Sequence, residues 1–273
     1  MGSSAPAERL KTETTLETTL RHDRWLTLAA LGIVVLLCWL WIVPMARDMY
    51  GAMQGPAEWM MADVWDWPRI LLLFAMWQVM MIGMMLPSAA PTLLLYAAVA
   101  RKSAPGAPVR VRVYAFAFGY LAIWSVFSAV VTPLQRMLSE LTWLSPMMQL
   151  QNRPLCALLL IIAGIYQFTA VKRSCLSNCR SPVQFIVENF KPGALGAFRM
   201  GLEHGLYCLG CCWAIMLLLF VGGVMNLWVI GAIILFILFE KLAPLGARSG
   251  KLSGALLIVL GLWAFLGPLL SRP

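Results

Sequence analysis

Charged side chains are scarce in this chain. Asp, Glu, Lys and Arg make up 12% of its 273 residues, about half the share of an ordinary soluble domain. Hydrophobic residues reach 61%, and the mean hydropathy is +0.79. That balance argues against a soluble domain and for a polytopic membrane protein. Catalytic signatures are missing as well. There is no nucleotide-binding loop, no H-E-x-x-H pair and no Ser/His/Asp arrangement, and no polar stretch is long enough to form an ATP-hydrolysing domain. Any transport would therefore draw on a gradient or a partner. Acids are the rarer charge, 12 against 21 Lys and Arg. The resulting +9 does not imply nucleic acid, because the basic residues lie between apolar runs, where they set orientation in a membrane.

What is present is a series of apolar runs. Reading for spans of about 20 apolar residues predicts seven: Trp25–Ala46, Ile70–Ala100, Val113–Leu138, Leu155–Val171, Gly201–Val224, Leu227–Leu242 and Leu252–Leu270. The expected fold is an all-α integral membrane bundle of about seven transmembrane helices. Residues 1–24 form a polar tail and 25–270 a single membrane domain. The first run is too long for a signal-peptide core and lacks a small-residue cleavage site, so it reads as a retained helix. Every Lys falls in the tail or in alternate loops, with Arg9, Arg101, Arg110, Arg112, Arg173, Arg180 and Arg199 among the Arg beside them. The other connections keep only Arg47, Arg69, Arg136, Arg153 and Arg272. The positive-inside rule then predicts a cytoplasmic N-terminus and an outer C-terminus in a bacterial inner membrane. The outer loop 47–69 is acidic, through Asp48, Glu58, Asp63 and Asp66, and carries Trp59, Trp65 and Trp67. It reads first as an interfacial anchor. Met49, Met53, Met60 and Met61 add a second reading, a cation-attracting mouth.

Seven cysteines hold the chemistry. "HGLYCLGCC" places His204, Cys208, Cys211 and Cys212 within nine residues of the fifth apolar run. At about 100° per residue on a helix these four project within an arc of about 100°. Gly201, Gly205 and Gly210 flank that face, and small residues let neighbouring helices approach. Glu203 lies at its edge and reads as a helix-start carboxylate near the positive dipole end. Polar groups in a span are costly unless they face a partner, cavity or ligand. Cys175 and Cys179, in "KRSCLSNCRSP" of the inner loop 172–200, put two more thiols on the same side of the membrane, with Lys172, Arg173 and Arg180 beside them. Cytosolic thiols stay reduced, so such a group suits metal binding or redox exchange better than a structural disulfide. "SPVQFIVENF" begins a short surface helix at Pro182. Isolated Cys38 and Cys156 read as small buried hydrophobes.

The second run contains Met76, Met80, Met81, Met84 and Met85, followed by Pro87 and Pro91, with Gln78 and Ser88 nearby. Methionine at helical spacing is ordinary packing in most helices. Thioethers and thiolates together, however, are the ligands that copper(I) prefers over hard ions. A kinked methionine helix beside a Cys/His helix would form a soft-metal site or path.

The segments MMIGMMLPSAAP, CLSNCRSP and GLEHGLYCLGCCW, in this order, resemble a bacterial family catalogued as predicted metal-binding integral membrane proteins, a domain of unknown function. The resemblance runs from about Pro68 to Leu270. It implies that Met84, Met85, Pro87, Cys175, Cys179, Cys208, Cys211 and Cys212 are functional positions, while His204 rests on spacing and chemistry alone.

The leading expectation is a protein of metal transport, delivery or metalloenzyme assembly that binds copper(I), with zinc or another soft metal as the alternative. Cys208, Cys211, Cys212 and His204 are its expected ligands. Cys175 and Cys179 would exchange the ion at the inner face, with Met80, Met81, Met84 and Met85 as weaker relay ligands. Expected partners are the lipid bilayer, the ion, and a metallochaperone, a membrane-complex subunit or a second copy of the chain, with no nucleic acid. Two alternatives stand beside it. One is a membrane thiol–disulfide oxidoreductase pairing Cys208 and Cys211 with Cys175 and Cys179. The other is a non-catalytic subunit of a larger complex.

Overall fold

An apolar run must satisfy its own backbone amides and carbonyls, and a helix does so internally. The computed structural model describes residues 5–51, 58, 65–103, 109–243 and 246–270, with side chains placed for 25–51, 58, 65–103, 109–243 and 249–266. The described chain is all-helical, without a strand. In order the helices are α1 (Ala5–Met49), α2 (Trp67–Ser103), α3 (Val109–Glu140), α4 (Arg153–Tyr166), α5 (Ala170–Arg180), α6 (Pro182–Asn189), α7 (Gly193–Met216), α8 (Leu218–Gly222), α9 (Leu227–Leu242) and α10 (Gly246–Leu270). The polar segment expected as a tail is helical from Ala5 and continuous with the first apolar run. α2 continues as one helix through Pro87 and Pro91. In the loop 47–69, Met53, Trp59, Met60, Met61 and Asp63 lie outside the described residues. Met49 is fully buried in the core.

Among the described residues, five helical stretches are long and apolar enough to cross a membrane: Trp25–Met49, Trp67–Ser103, Val109–Glu140, Gly193–Gly222 and Ser249–Leu266. A sixth is counted if α4 and α5, bent by 64°, form one broken span. The run expected as a fourth span is therefore two helices, for a local reason. The amides of Gln167, Phe168 and Thr169 fold back onto the carbonyls of Gly164, Ile165 and Tyr166, tight three-residue bonds that close α4. The Thr169 hydroxyl then accepts from the Lys172 amide and starts α5. The run expected as a sixth span is α9, with 16 residues and a length of about 24 Å. Its last turn carries Glu240 and Lys241, both buried.

Glycines bring the central helices together. A Cβ on Gly201 would overlap the Phe116 carbonyl oxygen, and one on Gly119 would overlap that of Phe198. Only bare backbone lets α3 and α7 cross this closely. α2 packs against α1 and α3, α5 against α7, and α4 against α10. The buried layer between them includes Trp77, Met80, Met84, Phe116, Tyr120 and Cys208.

Candidate functional site

The α3–α7 crossing fixes the site. It puts Tyr120, one residue after Gly119, against Cys208, two turns after Gly201. The Tyr120 hydroxyl lies 3.1 Å from Cys208 Sγ and donates to the Met85 carbonyl of α2 at 3.1 Å. Ser88, one turn further along α2, donates to the same carbonyl at 2.8 Å. Lys241 enters from α9. Its ammonium donates to Ser88 Oγ at 3.0 Å and to Cys208 Sγ at 3.0 Å. Cys208 and Tyr120 are fully buried, while Ser88 and Lys241 are 7% and 6% exposed. Four helices thus meet around one sulfur, α2 reaching it through Tyr120 and Lys241.

The other thiols cluster by different routes. Cys211 and Cys212, buried on the same face of α7, donate to the Cys208 carbonyl at 3.1 and 2.9 Å. Cys179, half-buried at the end of α5, lies on the side of the helix that neighbours Cys208 and Cys211 of α7. Cys175 sits differently. Its sulfur lies over Gly210, where a Cβ would come within 2.6 Å of it. His204 is 2% exposed, in a box of Phe116, Tyr120 and Phe185 with ring centroids 5.1–6.0 Å away. Its Nδ1 has no hydrogen-bond partner. Met80, Met81, Met84 and Met85 are all buried, and the methionine run touches the centre through the Met85 carbonyl. Among the described residues no three His, Cys, Asp or Glu side chains stand in a metal-holding arrangement. The thiols of Cys211 and Cys212 are turned to a backbone carbonyl instead.

Three expectations shift here. Lys241, taken as a loop charge, is a buried partner of Cys208. Lys172 is 2% exposed and pairs with Glu240 at 2.8 Å, while Arg180 donates to the carbonyls of Glu240 and Ala243, each at 2.8 Å. Glu203 does not begin a helix, because α7 starts ten residues earlier at Gly193. It forms an ion pair with Lys191. The short helix at Pro182 is present, and it docks Phe185 against His204 while leaving Val187 exposed. Cys38 and Cys156 sit away from this group: Cys38 packs near Gly83, and the Cys156 thiol donates to the Leu150 carbonyl.

Tyr120 and Lys241 were missed as site residues. The signal available was a Lys beside a Glu at the end of an apolar run, two charges that a short span would have to pair.

Residues 74–264 match the family described as PpoB2, copper chaperone. The chain belongs to that family. No curated protein and no solved structure matches it. The matched range takes in α2 from Phe74, both cysteine segments and Lys241, so every residue at the four-helix junction falls within the copper chaperone family region. Membership assigns a copper-related role in delivery or assembly. The metal part of the resemblance is thereby met, in the specific form of copper.

Proposed function

We propose that this protein is an integral membrane copper chaperone that receives copper(I) at the Cys208 sulfur and passes it on for metalloenzyme assembly. The observation that carries the reading is the convergence at Cys208. A buried thiol from α7, held by Tyr120 and Lys241, neighbours the cysteine end of α5 and a run of buried thioethers, in a chain of the copper chaperone family. Sulfur ligands select soft ions such as copper(I). The reacting thiols are Cys208 with Cys179 or Cys211, and loading turns them from their present hydrogen bonds toward the ion. Cys212, His204 and the Met80–Met85 run are secondary donors, with zinc the competing metal. The copper ion is cargo here.

The membrane reading rests on the five apolar stretches and on an outer surface rich in large apolar side chains. Leu36, Leu40, Phe118, Val130, Leu235 and Trp263 are each more than half exposed. So broad an apolar surface is a liability in water and suits hydrocarbon. α9 and the bent α4–α5 pair supply the remaining crossings of a seven-span, N-inside arrangement, which puts the thiol end of the bundle at the inner leaflet.

Metal content tests the function. Protein purified with copper(I) under reducing conditions is expected to retain copper, and Cys208→Ser is expected to lose most of it. Copper at background in the wild-type protein, unchanged by Cys208→Ser, sinks the proposal. A second reading, thiol exchange, is favoured by the place of Cys179 beside Cys208 and Cys211. It predicts a disulfide between α5 and α7 that forms without metal when a small disulfide oxidant is added, the oxidant being reduced to its thiols.

A further inference from the structure

We propose that Lys241 sets the charge of the ion accepted at this site, favouring a monovalent soft cation over a divalent one. The inference rests on the reading that Cys208 receives the metal, and it assigns a specificity role to a residue outside the sulfur set.

Lys241 has an unusual set of partners for a buried ammonium. Its neighbours within bonding distance are the Ser88 hydroxyl and the Cys208 sulfur, each at 3.0 Å. The nearest acid along its own helix is Glu240. Adjacent helical residues point about 100° apart, and Glu240 is turned to Lys172, 2.8 Å away. Groups facing Lys241 from the other helices include Ser88, Tyr120, Cys179, His204, Cys208 and Cys211. None of them is a carboxylate. Its bonding partner among groups that can carry negative charge is the Cys208 sulfur, while Glu240 is held by Lys172, so the ammonium brings one positive charge to the side of the pocket that faces sulfur.

That fixed charge decides which ion balances the site. A buried site with unbalanced charge is costly, because low-dielectric surroundings do not solvate the excess. Two cysteine thiols lose their protons to bulk solvent as one ion binds, leaving two negative charges on sulfur. The Lys241 ammonium neutralises one. A monovalent ion neutralises the other, and the pocket is neutral. A divalent ion leaves it with a net positive charge. Remove the ammonium and the preference reverses: the monovalent complex becomes anionic and the divalent complex neutral. Methionine, serine and tyrosine donors are neutral and leave this balance untouched.

The test is a competition titration of the full chain in detergent with Ag⁺ and Cd²⁺, a monovalent and a divalent soft ion. Lys241→Met and Lys241→Gln remove the charge, and Lys241→Arg keeps it. The neutral variants are expected to shift the Ag⁺-to-Cd²⁺ affinity ratio toward Cd²⁺ by at least about tenfold, or about 1.4 kcal/mol. Lys241→Arg is expected to hold the wild-type ratio. Two neutral substitutes of different shape guard against one that fails to fold. An unchanged ratio in either folded neutral variant overturns the proposal, as does a wild-type protein that retains Cd²⁺ and not Ag⁺. Wild-type protein that binds neither ion overturns the underlying copper reading as well, so the two failures are told apart.

Discussion

The two ends of the bundle core are built from different chemistry. At one end Cys208, Lys241, Lys172 and Glu240 put ionisable groups into a buried layer. At the other, eleven residues earlier on α2 and so about 16 Å away, Trp77 donates to Gln135 at 2.6 Å. Gln135 in turn donates to the Met148 thioether at 3.0 Å. Every group in that second network is neutral and buried. Neutral hydrogen bonds suffice to register helices, as the Trp77 end demonstrates. The charged end carries burial costs that registration alone does not require, which is why the proposed ion site is placed there.

The largest effect is expected at the crossing that creates the charged end. Gly201→Leu drives a side chain into the Phe116 carbonyl. The backbone has no rotamer to yield, so the cost should exceed the roughly 1–3 kcal/mol of ordinary overpacking. The expected result is loss of monodisperse protein in detergent. Gly231→Ala, where nothing lies within 4 Å, should behave as wild type. A well-folded Gly201→Leu protein would show that α3 and α7 are not held backbone to backbone.

Next comes the ion pair. Lys172→Ala leaves the Glu240 carboxylate buried without its partner, a loss of about 3–5 kcal/mol and a marked drop in thermal stability. Replacing both groups, Lys172→Met with Glu240→Leu, should recover most of it. Gln135→Leu at the neutral end orphans the Trp77 indole N–H and should cost only about 1–3 kcal/mol, with Trp77→Phe compensating. Equal losses at both ends would erase the distinction between them.

Helical class was legible before any coordinates, because apolar length is a local property, and the cysteine and methionine segments already pointed to a metal-related family. α2, α3 and α7 follow their hydropathy directly. Where the reading failed, a neighbour decided the outcome. The bend after Tyr166 depends on the Thr169 cap, a short-range feature hidden inside an apolar run. Lys241 and Lys172 counted as loop charges because nothing along the chain announces a partner. Cys208 lies 33 positions from one and Glu240 lies 68 from the other. The glycine face of α7 was visible, but its mate Gly119 belongs to another helix. Faces can be read from spacing, whereas the partner across an interface cannot.

The smallest predicted effect separates two cysteines that spacing alone treats as a pair. Cys175 and Cys179 share one side of α5, yet Cys179 is the one that neighbours the Cys208 and Cys211 thiols. Cys175 fills the groove over Gly210, where it acts as a small apolar group packed on backbone. Cys179→Ser should therefore lower copper retention substantially. Cys175→Ala should change copper affinity by less than about 1.4 kcal/mol, a factor of ten. Copper-to-protein ratios measured after dialysis against a graded series of competing thiol concentrations compare the two directly. If Cys175→Ala loses as much copper as Cys179→Ser, the ion moves along both sulfurs of α5 on its way to Cys208, and the groove over Gly210 is part of its path.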